Sequence, residues 1–152
     1  MVELGTRYSD LVVLDADVSV STKTKFFAER FPERFFNVGV AEQNLIGMAA
    51  GFALSSKRVF ASTYAMFVQR GWEQIRNTIA HDNLNVKIVV THAGLSNAPD
   101  GSSHQACEDI AAMRSIPNMR VLVPADSIET KEIVKRAAEE NGPFYIRLGR
   151  GK

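Results

Sequence analysis

The stretch FFNVGVAEQNLIGMAAGFALS, residues 35–55, decides the fold. It opens on an apolar run without polar alternation, as in a strand buried on both faces. Within a few residues the pattern becomes helical: Leu45, Ile46, Met48, Ala49, Ala50 and Phe52 leave almost no polar face, and Gly47, Ala50 and Gly51 permit close packing. A strand passing directly into a covered helix is the first half of a β–α–β unit. One acid, Glu42, stands at the switch. The helix macrodipole favours a carboxylate in a first turn, which is reason enough for an acid there. Its apolar surroundings also predict burial, which disfavours the charged form unless a partner compensates. No cation stands near it in sequence, so the site suits a proton shared with a ligand nitrogen.

The same alternation runs outward in both directions. Residues 11–17, 34–39, 58–62, 87–92, 119–124 and 144–148 read as strands, short and rich in Val, Ile and Phe. Residues 23–30, 41–55, 65–81, 105–115 and 128–141 carry helical patterns; Val68, Trp72, Ile75 and Ile79 repeat at helical spacing, and Asp126 or Ser127 can cap the last helix ahead of Glu129. The expected architecture is α/β, a mainly parallel six-stranded sheet with helices on both faces, in a single domain over residues 1–152.

Composition narrows the function classes. With 45% hydrophobic residues the chain can bury a substantial core. Eighteen basic and 17 acidic residues are interspersed for a net charge of +1, which leaves no footprint for nucleic acid or an anionic membrane. A lone cysteine, Cys107, and the lack of a long apolar run predict a reducing, cytoplasmic setting.

Ligands of such sheets bind beyond the carboxyl ends of the strands. Unusual polar residues gather there: Asp15 and Asp17 after the first strand, Glu42 after the second, Tyr64 and Phe67 after the third, His92, Asp126 and Arg150 after the next three. Helix capping explains Asp126, but not histidines and an aromatic pair. Tyr64 and Phe67 stand three apart, on one helical face, and serve either as core or as a cofactor shelf. The loop THAGLSNAPDGSSHQACEDI, residues 91–110, holds His92, Asp100 and His104, and long loops in compact domains tend to be functional. His104 with Cys107 lacks a second ligand pair, so no metal site is expected, and Ser102 and Ser103 lack a nucleophile-elbow context. Loop histidines suit proton transfer.

Together, LDADVSVSTKT, FFNVGVAEQN, FASTYAMFVQRGWEQIRN, THAGLSNAPDGSSHQ, PNMRVLVPAD and GPFYIRLGR resemble, in order, the pyrimidine-binding domain of the transketolase family of thiamine diphosphate enzymes. The resemblance implies the thiamin diphosphate-binding fold and the transfer of a two-carbon ketol unit between sugar phosphates, a reaction of the pentose phosphate pathway. It implies that Glu42 hydrogen-bonds N1′ of the cofactor's aminopyrimidine ring and drives it into the imino tautomer. Phe67 would stack on that ring, with Tyr64 lining the pocket and Asp17 near the cofactor. His92 and His104 would contact the donor sugar, His104 with a catalytic role, while Asp100 reads a hydroxyl and Ser21 and Arg150 hold the substrate phosphate.

The resemblance also implies what lies elsewhere. The family's Gly-Asp-Gly to Asn motif, which holds the diphosphate through Mg²⁺ or Ca²⁺, has no counterpart here, nor does its small C-terminal domain, and the helix ahead of residues 11–17 is expected to be truncated. Arg70 falls where many relatives carry a third aromatic. The chain is thus expected to hold half a site, as one section of a transketolase encoded in two, inert alone and completed by a diphosphate-binding partner in a homodimer or higher assembly. Deoxyxylulose phosphate synthase shares the glutamate and the Asp-Gly-x-x-His element, and the beta subunit of a 2-oxoacid dehydrogenase is a further alternative. A non-catalytic assembly module is the alternative of another class.

Overall fold

The computed structural model describes residues 1–150. Six strands, β1 (Leu11–Asp15), β2 (Phe35–Asn37), β3 (Arg58–Tyr64), β4 (Val86–Thr91), β5 (Arg120–Leu122) and β6 (Phe144–Arg147), form one sheet in the order β2-β1-β3-β4-β6-β5. Every pairing is parallel, from Val13 opposite Phe35 at one edge to Val121 opposite Tyr145 at the other. The expectation of a mainly parallel sheet is met in full. The order reverses on either side of β1, so the crevice beyond the carboxyl ends of β1 and β3 is a topological switch point.

Strand alternation feeds two cores. Val12 and Leu14 of β1 face Leu45, Ile46 and Ala49 of helix α4 (Glu42–Leu54), together with Val68, Ile75 and Ile79. Leu11 and Val13 face the other way, onto Leu4 of α1 (Val2–Arg7), Phe27 of α3 (Lys25–Arg30), Phe31, and Ala138 of α8 (Ser127–Glu139). Every residue of β1 is buried, which is why its sequence shows no polar period.

Differences from the sequence pattern have local causes. A short helix α2 (Ser19–Thr22) precedes α3, and α1, which leaves no trace in the hydrophobic period, stands ahead of β1, where the family resemblance implies a helix. The helix expected over 65–81 is broken into α5 (Ala65–Val68), a 3₁₀ turn over Gln69–Gly71, α6 (Trp72–Gln74) and a π-helical turn over Ile75–Ala80. Gly71 marks the break because the chain there lies against α4: a Cβ would stand 3.2 Å from Ile46 Cγ1 and 3.5 Å from the Glu42 carbonyl oxygen. Helix α7 begins only at Asp109 and ends at Arg114, since Ala106 pairs with Ala93 in an isolated bridge and Gly94 N–H donates to its carbonyl at 2.8 Å. Among the described residues no helix is long and apolar enough to cross a membrane.

Candidate active site

Four elements converge beyond the carboxyl ends of the strands. At the end of β1, Asp15 is fully buried and accepts from Val18 N–H at 2.7 Å, Thr22 Oγ1 at 2.7 Å and Thr24 Oγ1 at 2.8 Å. Burial pushes its carboxyl up, opposed by those three hydrogen bonds and reinforced by the charge of Asp17. Asp15 is therefore the organiser of the 18–24 turn, a role the sequence pattern does not single out. Asp17, at φ 64°, is exposed and accepts from Asn37 Nδ2 at 2.9 Å, so among the described residues it pairs with the end of β2 and with none of the expected site residues.

Glu42 is the first residue of α4 and is 2% exposed, as its apolar surroundings predict. No cation stands near it in sequence, but the fold brings one: Arg70 Nη1 lies 3.3 Å from Oε2. Sequence distance hides the pair, 28 residues apart, and the contact exists because the Gln69–Gly71 turn packs on the start of α4, where Gln43 Nε2 donates to the Arg70 carbonyl at 3.2 Å. Arg70 is 65% exposed, and its guanidinium bonds one carboxylate oxygen only. Among the described residues, Glu42 Oε1 has no hydrogen-bond partner.

The aromatic pair and the two loop histidines form a row of rings. Tyr64 is the last residue of β3 rather than part of a helix, yet its ring stacks on Phe67 at 5.1 Å and on His92 at 3.9 Å; Phe67 meets His104 edge-on at 5.4 Å. His92 follows β4 with φ 58°, a left-handed backbone costly for a side chain with a Cβ, and such outliers cluster at functional sites. Its Nδ1 is 2.8 Å from Thr91 Oγ1. Burial first, then the charges of Arg150 and Lys23, push the His92 imidazole down against the opposing pull of Asp100, favouring the neutral ring at pH 7. His104 lies on the 3₁₀ turn over Ser102–His104, with Nδ1 2.9 Å from Ser103 Oγ.

Arg150 and Asp100 form an ion pair of 3.6 Å, and Arg150 Nη1 donates to Asn97 Oδ1 at 3.4 Å. Ser21, His92 and Arg150 line one cavity of about 480 Å³. Beneath this loop lies a network that sequence inspection misses. Asp109 is fully buried and accepts from Tyr145 Oη at 2.9 Å and from Arg147 Nε at 2.8 Å, while Arg147 Nη2 donates to the Ala106 carbonyl at 3.2 Å. Gly94, at φ 61°, lets the loop cross this guanidinium, since a Cβ would stand 2.9 Å from Nη2. Burial and the Asp109 charge push the Tyr145 phenol up. Among the described residues no three His, Cys, Asp or Glu side chains gather as metal ligands.

A doubly wound parallel sheet that collects a buried acid, a row of rings and a cationic cavity at its switch point defines a ligand-binding α/β domain. The chain belongs to the transketolase pyrimidine-binding domain family: the model described as "Transketolase, pyrimidine binding domain" matches residues 1–152. It is 59% identical over 151 residues to a protein of Methanocaldococcus jannaschii assigned as a transketolase C-terminal section, covering 99% of this chain and 48% of that one. It is 39% identical to the 1-deoxy-D-xylulose-5-phosphate synthase of Listeria monocytogenes, over 100% of this chain and 25% of the relative. Among solved structures, a split-gene transketolase in the form of an inactive β4 tetramer superposes with a TM-score of 0.86 at 58% identity, over 99% of this chain and 48% of that one. The chain thus spans about half the length of the transketolase section it matches, and about a quarter of the synthase.

Proposed function

We propose that this chain is the pyrimidine-binding part of a transketolase encoded in two sections, which moves a two-carbon ketol unit from a ketose phosphate to an aldose phosphate once a diphosphate-binding section completes the site. The observation that carries the reading is Glu42, a buried acid with one oxygen held by Arg70 and the other free to accept a donor. It starts the helix that packs against α5, which carries Phe67. These residues fit the aminopyrimidine half of thiamine diphosphate: Glu42 would hold ring atom N1′ and govern its proton, Phe67 would stack on the ring with Tyr64 beside it, and Asp17 would border the cofactor. When bound, the cofactor supplies the carbon nucleophile for carbonyl chemistry. His92, held neutral, and His104 would accept or return protons at substrate hydroxyls, with His104 catalytic. Asp100 would read a hydroxyl, and Ser21 and Arg150 would take the phosphate.

Mg²⁺ or Ca²⁺ would be held with the diphosphate by the partner section. The exposed Val40, Leu54 and Leu95 offer apolar surface for that partner or for a second copy, and the β4 state of the split-gene relative supports a homo-oligomer of at least two chains that is inactive alone. A cytoplasmic setting and a place in the pentose phosphate pathway complete the proposal. Deoxyxylulose phosphate synthase is the second reading, favoured by 39% identity along the whole chain but outweighed by 59% to the transketolase section.

Calorimetric titration of thiamine diphosphate with Mg²⁺ into the chain, alone and then with a diphosphate-binding section, tests the proposal. Saturable heat only with the section, abolished by Glu42→Gln, is the expected result. Ketol transfer by the chain alone, or a Glu42→Gln complex that binds the cofactor and turns over unchanged, would overturn it.

A further inference from the structure

The cavity that holds Ser21, His92 and Arg150 is also lined by Lys23 and Thr91, and no acidic side chain lines it. Two acids stand at its margin, both engaged: Asp100 pairs with Arg150 at 3.6 Å, and the buried Asp15 accepts from the lining residue Thr22 and from Thr24. Among the described residues the ion pairs of this edge are Arg70–Glu42, Arg147–Asp109 and Arg150–Asp100, and none uses Lys23. Lys23 and Arg150 line the cavity from different elements, one from the turn after α2 and one from the segment after β6, and both charges disfavour a charged His92 ring.

The turn that carries Lys23 is built, not loose. Asp15 bonds Val18 N–H, Thr22 and Thr24 from beneath, and Lys23 sits between those anchors at φ 65°. A left-handed position is cheapest for glycine, and a lysine kept only for solubility gains nothing from one. Two cations, the hydroxyls of Ser21 and Thr91 and an imidazole around a space free of carboxylates form a cradle for a dianion.

We propose that Lys23 is the second cation of this cradle and, with Arg150, holds the phosphate monoester of the substrate. The sugar part of this inference rests on the proposed function; the phosphate part does not. A lysine supplies a point charge where the Arg fork supplies direction, so the pair selects phosphorylated over free sugars. Loss of Lys23 would act on phosphate affinity and leave cofactor binding intact.

The test follows the His92 ring resonance by NMR in the full chain during titration with inorganic phosphate, with glycerol 3-phosphate and with glycerol. Both phosphates should shift it saturably while glycerol does not; tighter binding of the ester than of inorganic phosphate marks a sugar phosphate as the ligand, and equal binding marks a general phosphate site. Lys23→Met should weaken phosphate affinity at least tenfold, Lys23→Arg should largely retain it, and both keep the left-handed cost. In the ligand-free chain Lys23→Met should also raise the His92 titration midpoint, by removing one of the two cations set against Asp100. Lys23→Gly, relieved of the backbone cost, guards against a folding defect and should bind as weakly as Lys23→Met. Absence of saturable phosphate binding in the wild-type chain, or affinity within twofold of wild type in Lys23→Met, overturns the proposal. Calorimetry with thiamine diphosphate and the partner section, which does not involve Lys23, separates that failure from failure of the proposed function.

Discussion

Among the described residues Arg70 is the one cation bonded to the Glu42 carboxylate, which is 2% exposed; replacing it with leucine removes that partner, and the structure sets the size of the effect. Two unit charges about 4 Å apart at an effective dielectric of about 20 attract by about 4 kcal/mol. That is a ceiling, because Arg70 is 65% exposed and its charge is shared with solvent. A single hydrogen bond to a charged group contributes about 1.5–3 kcal/mol, and the exposed guanidinium puts this one near the lower end, about 2 kcal/mol. For a domain of this size that is a fall in Tm of about 4–8 °C. The assay is urea unfolding followed by Trp72 fluorescence, in wild type, Arg70→Leu, Glu42→Gln and the double variant. Glu42→Gln should cost less than Arg70→Leu, since the freed guanidinium is already in water whereas the freed carboxylate is not. The double variant should recover about 1.5 kcal/mol relative to the sum of the singles. In 1 M salt the Arg70→Leu loss should shrink, because the pair is open on one side. A loss below about 0.5 kcal/mol, or an equal loss in the Glu42→Gln background, would refute the claim that Arg70 compensates the buried charge.

The remaining predictions concern the frame around the site. Asp109→Ala should cost about 3–5 kcal/mol, because it strands the Arg147 guanidinium and the Tyr145 hydroxyl in the interior. Hydrogen exchange should show faster opening at residues 93–106, and a loss under about 1 kcal/mol by chemical denaturation would mean that the network does not carry the loop. Asp126→Ala should cost about 1 kcal/mol, since its Oδ1 accepts from Glu129 N–H at 2.8 Å at the start of α8. An unchanged unfolding midpoint would show that solvent replaces that cap at no cost.

Much of the fold was legible in the chain because burial on both faces writes itself into composition. Strand β1, from Leu11 to Asp15, has no polar alternation because helices cover it on either side, and the apolar helix after Glu42 announces its own burial. Asp126 was readable as a cap since its partner is three residues away. The likeness to the transketolase pyrimidine-binding domain was readable too, because its motifs survive as local strings. The site was legible as positions, because parallel strands deliver their loops to one edge, and the structure brings Tyr64, Phe67, His92 and His104 into one row of rings.

What the chain alone determined is the alternation of strand and helix and the chemical identity of the residues just past each strand. Tertiary structure alone decided who meets whom: Arg70 with Glu42 across 28 residues, Asp109 with Arg147 across 38, Lys23 and Arg150 around one cavity. The physical reason is range. Propensity, capping and periodicity act within a few residues and leave a pattern in the string, whereas ion pairs and cavities arise only when elements pack. Charge compensation for a buried acid can come from any element that the sheet order brings alongside.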